Sequence, residues 1–345
     1  MHDDFQLLFH YGNEWPEWGS APRKPLVQFD MAHKGEWLES VMGPDPATGT
    51  DMIYHIVRCE LCIGIHAWPF PTEEALARYY AERFYEHEKP DMIARYERDA
   101  AWWTACMHGP LLDGMAAALH EQGPAPVSIL DIGAGPGLLL DEARRRGWDT
   151  TAIEPGPLCR ARLAQAGHRL APPLGVDGAQ GGVVPGFAMI TMWETLEHLP
   201  CPEETLLQVY DLLRPGGVLG ICVPNDYTPA QYAACARYGL AHWWLSPVQH
   251  LNYFTPKTLQ LLARRCGFAL TSLWTTFPLI EHFILDQGRC YVGNDTLGRE
   301  CHRERMSIEL DDLQAGRWEA RMAQYKRNAE QRIGREIVAV FTKEI

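Results

Sequence analysis

"SILDIGAGPGLLLDEARRRGWDTTAIEPG", residues 128–156, places three glycines at alternate positions after a short apolar run and ends beside an acid. The apolar run predicts a buried strand ending at Asp131, and the text from Leu138 onward predicts a helix. Glycine tolerates positive φ and lets a ligand lie against the backbone, while the first N–H groups of a helix are unpaired. The stretch therefore predicts a nucleotide-binding loop between a strand and a helix.

The acids around this loop restrict the ligand. The dinucleotide fingerprint G-x-G-x-x-G is not matched, because its third glycine would fall on Leu138. Asp131 would repel a pyrophosphate and suits a cation, while Glu154, at the end of the next predicted strand, can accept both hydroxyls of a ribose. A cation with a ribose and no phosphate describes S-adenosylmethionine (SAM). The stretch closely resembles the first two motifs of the class I SAM-dependent methyltransferases.

The resemblance implies that SAM is the cofactor and that S-adenosylhomocysteine is released after methyl transfer. It places the SAM-binding residues in the loop and at the ends of the two strands that follow. These residues are Asp131, Gly133, Ala134, Gly135, Gly137, Glu154, Pro155, Met192 and Trp193.

A later stretch, "FAMITMWETLEHLP" (187–200), resembles the branch that contains the ubiquinone-biosynthesis O-methyltransferases, in which a strand ends in E-x-x-E-H. Three interpretations fit Glu194, Glu197 and His198. His198 acts as a general base or positions the acceptor; the three side chains hold a divalent ion such as magnesium; or Glu197 and His198 only brace the next helix. We favour the first.

A second candidate acceptor segment is "VQHLNYFT" (248–255), which follows Trp243 and Trp244. The two tryptophans suit a lid over the acceptor. His250 is either a hydrogen-bonded structural residue or, as the family resemblance implies, a residue that faces the acceptor. Glu194, His198, His250 and Tyr253 are therefore the catalytic candidates. Asn225, after a predicted strand, is either a further contact or a turn residue.

The rest of the sequence predicts an α/β fold, with a Rossmann-like, seven-stranded class I methyltransferase core. Residues 1–90 form a small N-terminal α+β domain, and residues 91–275, with alternating strand and helix patterns, form the SAM-binding core. Residues 276–333 are an insertion with a long amphipathic helix within 306–332. Residues 334–345 are apolar and too short to stand alone, which predicts the last strand of the core sheet.

One cysteine pair, Cys59 and Cys62, has the C-x-x-C spacing of a zinc knuckle, with His55 and His66 outside it. Structural zinc sites usually take two such pairs. Similar methyltransferases carry an N-terminal zinc ribbon with a second pair upstream, and this chain has no cysteine there. Zinc bound by these four residues is one interpretation. We favour the other, a zinc-free remnant of the same hairpin.

Charge and composition exclude several classes of partner. The formal charge is −13, and no basic stripe is present, which argues against nucleic acid. No signal sequence and no run of eighteen apolar residues is found, so we expect a cytoplasmic protein without a membrane partner. The ten scattered cysteines are then expected to be reduced thiols.

These observations predict an enzyme that methylates a small molecule. The first expectation for the acceptor is a nucleotide-linked sugar or another saccharide or secondary-metabolite precursor, because methyltransferases with such added termini are similar to this chain. The alternative is a quinone or phenol O-methyltransferase. A hypothesis of another class is a SAM-binding partner or sensor without catalysis. The sequence leaves the oligomeric state open.

Overall fold

The computed structural model describes residues 26–28, 34–62, 64–119, 127–174 and 183–344. The strands are β1 (Leu26–Gln28), β2 (Lys34–Pro44), β3 (Asp51–Cys59), β4 (Gly64–Trp68), β5 (Ser128–Ile132), β6 (Asp149–Ile153), β7 (Arg169–Leu170), β8 (Phe187–Trp193), β9 (Leu213–Pro224), β10 (Asn252–Tyr253), β11 (Phe268–Thr275) and β12 (Glu336–Lys343). The α-helices are α1 (Glu73–Tyr79), α2 (Met92–Arg98), α3 (Ala100–Trp102), α4 (Gly109–Ala118), α5 (Leu138–Arg145), α6 (Pro157–Gln165), α7 (Pro202–Leu212), α8 (Pro229–Tyr238), α9 (Pro256–Arg265), α10 (Asp295–Gln314) and α11 (Trp318–Glu330). Three π-helical segments cover Tyr80–Glu88, Trp103–His108 and Ile280–Asp286, and a 3₁₀ turn covers Leu196–His198.

The main sheet has seven strands in the order β11-β12-β9-β8-β5-β6-β7. Strands β5 to β9 are parallel, whereas β12 pairs antiparallel with both β9 and β11. After β5 the chain forms β6 on one side of β5, and later it forms β8 on the other side of β5. This reversal makes the carboxyl end of β5 a topological switch point, where open α/β sheets bind ligands. The predicted Rossmann-like α/β class is confirmed.

Helices cover both faces of this sheet. One apolar cluster joins the sheet to α7 and α9, through residues such as Leu206 and Leu259. The other joins it to α4 and α5, through residues such as Leu112 and Leu140. Phe187 to Met192 of β8 are all buried. The sequence of β8 is almost entirely apolar because helices pack on both faces of the sheet.

A second, antiparallel sheet has the order β1-β2-β3-β4-β10. Its fifth strand comes from residues 252–253, well beyond the predicted N-terminal domain of residues 1–90. Tyr54 and Ile56 of β3 pack with Tyr227, Trp244 and Tyr253 of the later chain. The small sheet is thus built jointly by the two regions. The first 25 residues of the predicted domain lie outside the described residues.

The insertion before β12 differs from the predicted single helix. The helix α10 ends at Gln314, Gly316 adopts φ 70°, and α11 begins at Trp318. Buried polar groups hold the two helices to the core: Glu309 accepts hydrogen bonds from Trp102 Nε1 (2.9 Å) and Tyr325 Oη (2.6 Å) and pairs with Arg305 (3.1 Å). Breaking such a buried pair costs about 3–5 kcal/mol. Among the described helices, none is both long and apolar enough to cross a membrane.

Candidate active site

The glycine loop lies at the carboxyl end of β5 and leads into α5. Gly133 and Gly137 adopt φ values of 75° and 84°. A Cβ on Gly133 would lie 2.3 Å from Thr195 Oγ1, and one on Gly137 would lie 2.4 Å from Leu163 Cδ2. Both positions therefore need glycine, for the backbone conformation and for the space beside them. The conformation of the loop and its neighbours thus require positions without side chains, which leaves the backbone accessible to a ligand.

Glu154 directly follows β6 and lies beside the same loop. Its carboxylate accepts hydrogen bonds from the backbone N–H groups of Gly135 (2.8 Å) and Gly156 (2.7 Å). The residue is 4% exposed, and burial raises its pKa while these two bonds act to lower it. Each carboxylate oxygen can accept more than one hydrogen bond. The side chain is thus oriented by the backbone and keeps the capacity to bind the hydroxyls of a ribose.

Asp131, near the end of β5, lies buried below the loop. Thr191 Oγ1 on β8 donates a hydrogen bond of 2.7 Å to Asp131 Oδ1. Burial raises the pKa of Asp131 to about 7, and the charge of Glu154 adds to this effect. A cation at this position would favour the ionised carboxylate and lower the pKa again. The site is therefore suited to the ammonium end of an amino-acid ligand.

These residues line a cavity of about 1870 Å³ between the carboxyl end of the main sheet, the helical segment of residues 73–103 and the insertion. Ligand sites of about 300–1,000 Å³ accommodate one drug-sized molecule, so this cavity has room for SAM and a small acceptor together. The sequence-predicted residues on its wall are Asp131, Gly133, Ala134, Gly135, Glu154, Pro155, Trp193, Glu194, Glu197, His198, Asn225, Trp243, Trp244 and His250.

Two predicted side chains lie elsewhere. Met192 is fully buried in the core, because successive residues of a strand face opposite sides and Trp193 is the one that reaches the cavity. Its prediction as a SAM contact is wrong for the side chain. Tyr253 is 1% exposed, packs inside the small sheet and does not line this cavity, so its catalytic role stays a prediction. Gly137 contributes through the backbone that starts α5.

Glu197, His198 and His250 meet at the cavity wall, with one donor atom from each lying within 4.8 Å of the others. His198 Nε2 lies 3.6 Å from Glu197 Oε1, and the two imidazole centroids are 5.2 Å apart. Burial lowers the pKa of His198 to about 4 and that of His250 to about 3. Burial also raises the pKa of Glu197 well above its usual value, and Glu194 adds to the shift. Both imidazoles are therefore neutral at pH 7.

The structure separates Glu194 from this cluster. Its backbone has φ 48°, a strained value for a residue with a side chain, and its N–H donates to Cys222 O (2.8 Å). Burial raises the pKa of Glu194 to about 7, and the charge of Glu336 adds to the effect while Arg335 opposes it. The predicted metal set of Glu194, Glu197 and His198 is thus replaced by one in which His250 takes the place of Glu194.

Three further predictions concern the acceptor end of the cavity. Trp243 and Trp244 both line it, as a lid would require. Asn225 donates to the carbonyl oxygens of Gly334 (2.9 Å) and Arg332 (3.3 Å), which ties β9 to the loop before β12. Its side-chain amide group therefore holds the wall together.

Sequence reasoning missed the aromatic wall formed by the π-helix Tyr80–Glu88. Tyr80, Phe84 and Tyr85 line the cavity, and the ring of Tyr80 lies 5.8 Å from that of His198. The signal was present, since residues 79–85 contain four aromatic side chains. No local sequence pattern indicated that these side chains reach the SAM-binding core, because about fifty residues separate this helix from the glycine loop.

The cysteine pair lies apart from the cavity, at the turn between β3 and β4. Cys59, Cys62 and His66 bring their donor atoms within 4.8 Å of one another. His55 is not part of this group: it pairs with Trp68 across the hairpin, and its Nδ1 bonds Ser40 Oγ at 2.8 Å. The predicted four-residue zinc set therefore contains one wrong member. None of the ten cysteines forms a disulfide.

Comparison with known proteins agrees with this geometry. Residues 104–273 match the model of a family described as a methyltransferase domain. The ubiquinone biosynthesis O-methyltransferase of Nitrosococcus oceani is 30% identical over 209 residues, which cover 53% of this chain and 84% of that protein. The enzyme of the same name from Pseudomonas aeruginosa strain UCBPP-PA14 is 30% identical over 212 residues, covering 56% and 90%.

Two solved structures show a weaker likeness to the fold. The plantazolicin methyltransferase BpumL in complex with SAH has a TM-score of 0.45 and 15% identity, covering 78% of this chain and 94% of that one. The Haemonchus contortus phosphoethanolamine N-methyltransferase 2 in complex with S-adenosyl-L-methionine has a TM-score of 0.46 and 12% identity, covering 99% and 74%. On the strength of the sequence relatives and of its own glycine loop, with Glu154 buried beside it, the chain belongs to the class I SAM-dependent methyltransferases and is an enzyme that takes its methyl group from SAM.

Proposed function

We propose that the protein is an O-methyltransferase whose acceptor is a small aromatic molecule with a phenolic hydroxyl. The curated relatives at about 30% identity are named as O-methyltransferases of ubiquinone biosynthesis. Their names favour the quinone or phenol alternative over the nucleotide-linked sugar that was expected first. The observation that carries the proposal is the pair of neutral imidazoles, His198 and His250, at the cavity wall.

The hydrogen bonding of His198 defines which nitrogen can accept a proton. Its Nδ1 bonds the backbone carbonyl oxygen of Gln249. A carbonyl only accepts, so the tautomer that makes this bond carries its hydrogen on Nδ1 and keeps the lone pair on Nε2; the ring also bonds the backbone of Glu194. Nε2 is the atom that lies 3.6 Å from Glu197 Oε1. His198 therefore presents a proton acceptor whose tautomer is set by the main chain.

The basicity of this imidazole suits a phenol. Burial lowers the pKa of His198 to about 4, so it is a weak base. A phenol ionises near pH 10, far more readily than a sugar hydroxyl does. As the methyl group transfers, the oxygen becomes positive and the proton becomes strongly acidic, and a weak base is sufficient to take it. Alignment of acceptor and donor within the cavity contributes the larger share of the rate.

The walls of the acceptor end are consistent with an aromatic ligand. Tyr80, Phe84, Trp243 and Trp244 line the same cavity as the histidine pair. Aromatic rings prefer offset or edge-to-face packing at centroid distances of about 4.5–7 Å, which adds to the gain from burying apolar surface. The rings of Tyr80 and His198 already show such an edge contact at 5.8 Å.

A divalent cation is the second candidate, and one observation favours it. The carboxylate oxygens of Glu197 are buried without a hydrogen-bond partner among the described residues, and His198 and His250 donors lie within 4.8 Å. Two imidazoles and one carboxylate suit zinc, manganese or iron better than magnesium, which prefers oxygen ligands. When bound, such an ion would polarise the acceptor hydroxyl.

A turnover assay tests the proposal. The full chain is incubated with SAM and, in parallel, with a catechol, the same ring with its hydroxyls already methylated, and a nucleotide-linked sugar, and S-adenosylhomocysteine is measured. We expect product with the catechol alone. His198→Ala should lower kcat by about 10²- to 10⁴-fold with little change in SAM affinity. Turnover with the sugar and none with any phenol would refute the proposal.

Two further measurements separate base from metal. In the base mechanism kcat should hold from pH 8 down to about 5, because burial keeps His198 neutral well below the pH 6.5 at which an exposed imidazole is half protonated. Chelator should then have no effect. In the metal mechanism chelator abolishes turnover, and Glu197→Gln is as damaging as His198→Ala while Glu194→Gln is not.

A further inference from the structure

The turn between β3 and β4 carries a group of metal-type side chains that methyl transfer does not use. Cys59, Cys62 and His66 each offer one donor atom, and these atoms lie within 4.8 Å of one another. Ligands of a tetrahedral zinc ion are about 3.3–3.8 Å apart, given Zn–S and Zn–N bonds of about 2.3 and 2.0 Å. A small contraction of the turn would therefore complete the geometry, and none of the three residues lines the active-site cavity.

The backbone of this turn donates a hydrogen bond to one of the sulfur atoms. Cys62 N–H donates to Cys59 Sγ at 3.4 Å. N–H bonds to a metal-binding sulfur stabilise its negative charge, as outer-shell hydrogen bonds do at metal centres. The turn is thus shaped to hold a charged sulfur in a buried place, since Cys59 is 2% exposed.

His66 is oriented in the manner of a metal ligand. Its Nδ1 bonds the carbonyl oxygen of Ala67 at 3.0 Å, and a carbonyl only accepts, so the hydrogen is on Nδ1. The lone pair is then on Nε2, and the ring lies within hydrogen-bonding reach of Cys59. Metal-ligating histidines commonly donate their other N–H to a backbone carbonyl, which sets the tautomer and the ring angle. At 1% exposure, His66 has no role at the surface.

We propose that Cys59 Sγ, Cys62 Sγ and His66 Nε2 bind a structural zinc ion, with solvent or a further donor in the fourth position. The ion would clip the hairpin of β3 and β4 at its turn. The strand β4 in turn pairs with β10, since His66 lies opposite Asn252, and Ala67 N–H bonds Leu251 O at 2.8 Å. This segment directly follows His250, so the zinc would stabilise the wall that carries the acceptor-side histidine.

Metal content of the full-length protein, grown in zinc-supplemented medium, tests the proposal without reference to activity. We expect about one tightly held zinc ion per chain, retained through gel filtration. Cys59→Ser and His66→Gln should each lose most of it. His55→Gln is the matched control, because it changes a histidine on the same hairpin that lies outside the cluster, and it should keep the metal. His250→Gln should also keep it, which separates this site from any ion in the cavity.

Spectroscopy of the intact wild type guards against variants that fail to fold. Cobalt exchanged into the site should give thiolate-to-metal charge-transfer absorption and tetrahedral ligand-field bands. Removal of the zinc by a strong chelator should lower the melting temperature of the protein. When zinc is added back, its binding should release protons from the ligands. Zinc content unchanged in Cys59→Ser, metal-free wild type with two freely titrating thiols, or a Cys59–Cys62 disulfide found by mass spectrometry would each overturn the proposal.

Discussion

Replacing Glu154 by alanine should weaken SAM binding about 10- to 150-fold, through loss of the bonds to the ribose. In the structure the carboxylate already holds two backbone N–H groups, from Gly135 and Gly156, at 2.8 and 2.7 Å. Two hydroxyls of a ribose would bind its remaining lone pairs, and a charge-assisted hydrogen bond contributes about 1.5–3 kcal/mol. Water entering the space left by the side chain would restore roughly half of this. The net loss of binding free energy then equals that of one bond, about 1.5–3 kcal/mol, which corresponds to an increase in Kd of about 10- to 150-fold.

A glutamine at this position should give no rescue. Glu154→Gln keeps one acceptor oxygen, but its amide nitrogen would then face a backbone N–H, either that of Gly135 or that of Gly156. A donor facing a donor leaves both unsatisfied in a buried place, which costs about 1–3 kcal/mol. We therefore expect Glu154→Gln to bind SAM no better than Glu154→Ala. The prediction is specific to a carboxylate that is bonded on both oxygens.

Isothermal titration calorimetry with SAM measures both variants, with thermal unfolding as the test of the fold. The matched control is Asp149→Ala, which removes an acid at the opposite end of the same strand, exposed and away from the cavity. It should bind SAM like the wild type. An unchanged Kd in Glu154→Ala, or wild-type binding by Glu154→Gln, would refute the assignment of Glu154 to the ribose.

The remaining predictions concern the other acid of the SAM site and the closing strand. Because burial raises the pKa of Asp131 to about 7 in the empty site, SAM affinity should rise with pH up to about 7 and level off above it. Calorimetry of Asp131→Asn should show weaker binding without that slope; a slope that persists would implicate another group. Phe341→Ala, at a 1% exposed position of β12, should cost about 3–5 kcal/mol in urea unfolding. Leu270→Ala, at a 42% exposed position of the neighbouring strand, should cost less than about 1 kcal/mol, and equal losses would contradict a buried β12.

Local patterns in the sequence were sufficient to predict which residues surround the glycine loop. A strand, a loop with three glycines and a following helix are consecutive in the chain, so Asp131, Gly133 and Gly137 have their positions relative to one another set by short-range geometry. Glu154 ends the next strand, and parallel neighbours in one sheet bring their ends to the same edge. The class of the fold and the position of Glu154 beside the loop could therefore be predicted together.

Predictions that depended on side-chain direction were less secure. The motif placed Met192 and Trp193 side by side, but the alternation of a strand sends only one of them to the cavity. Tyr253 shared a motif with His250 and yet belongs to the core of the small sheet. Neighbours in sequence become separated wherever the chain passes between two packed layers, because each layer buries a different face.

The sequence by itself determined that this chain folds as a Rossmann-like methyltransferase core and binds a ribose-bearing cation, because those features rest on contiguous residues with strict conformational demands. Only the tertiary structure decided which residues meet at the acceptor. Glu197 lies closer along the chain to Glu194 than to His250, but the chain crosses from the main sheet to the small one and returns, and it is His250 that arrives beside it. The burial that makes both histidines neutral arises from the same crossing, because the desolvation that lowers their pKa values comes from layers that the sequence does not place side by side.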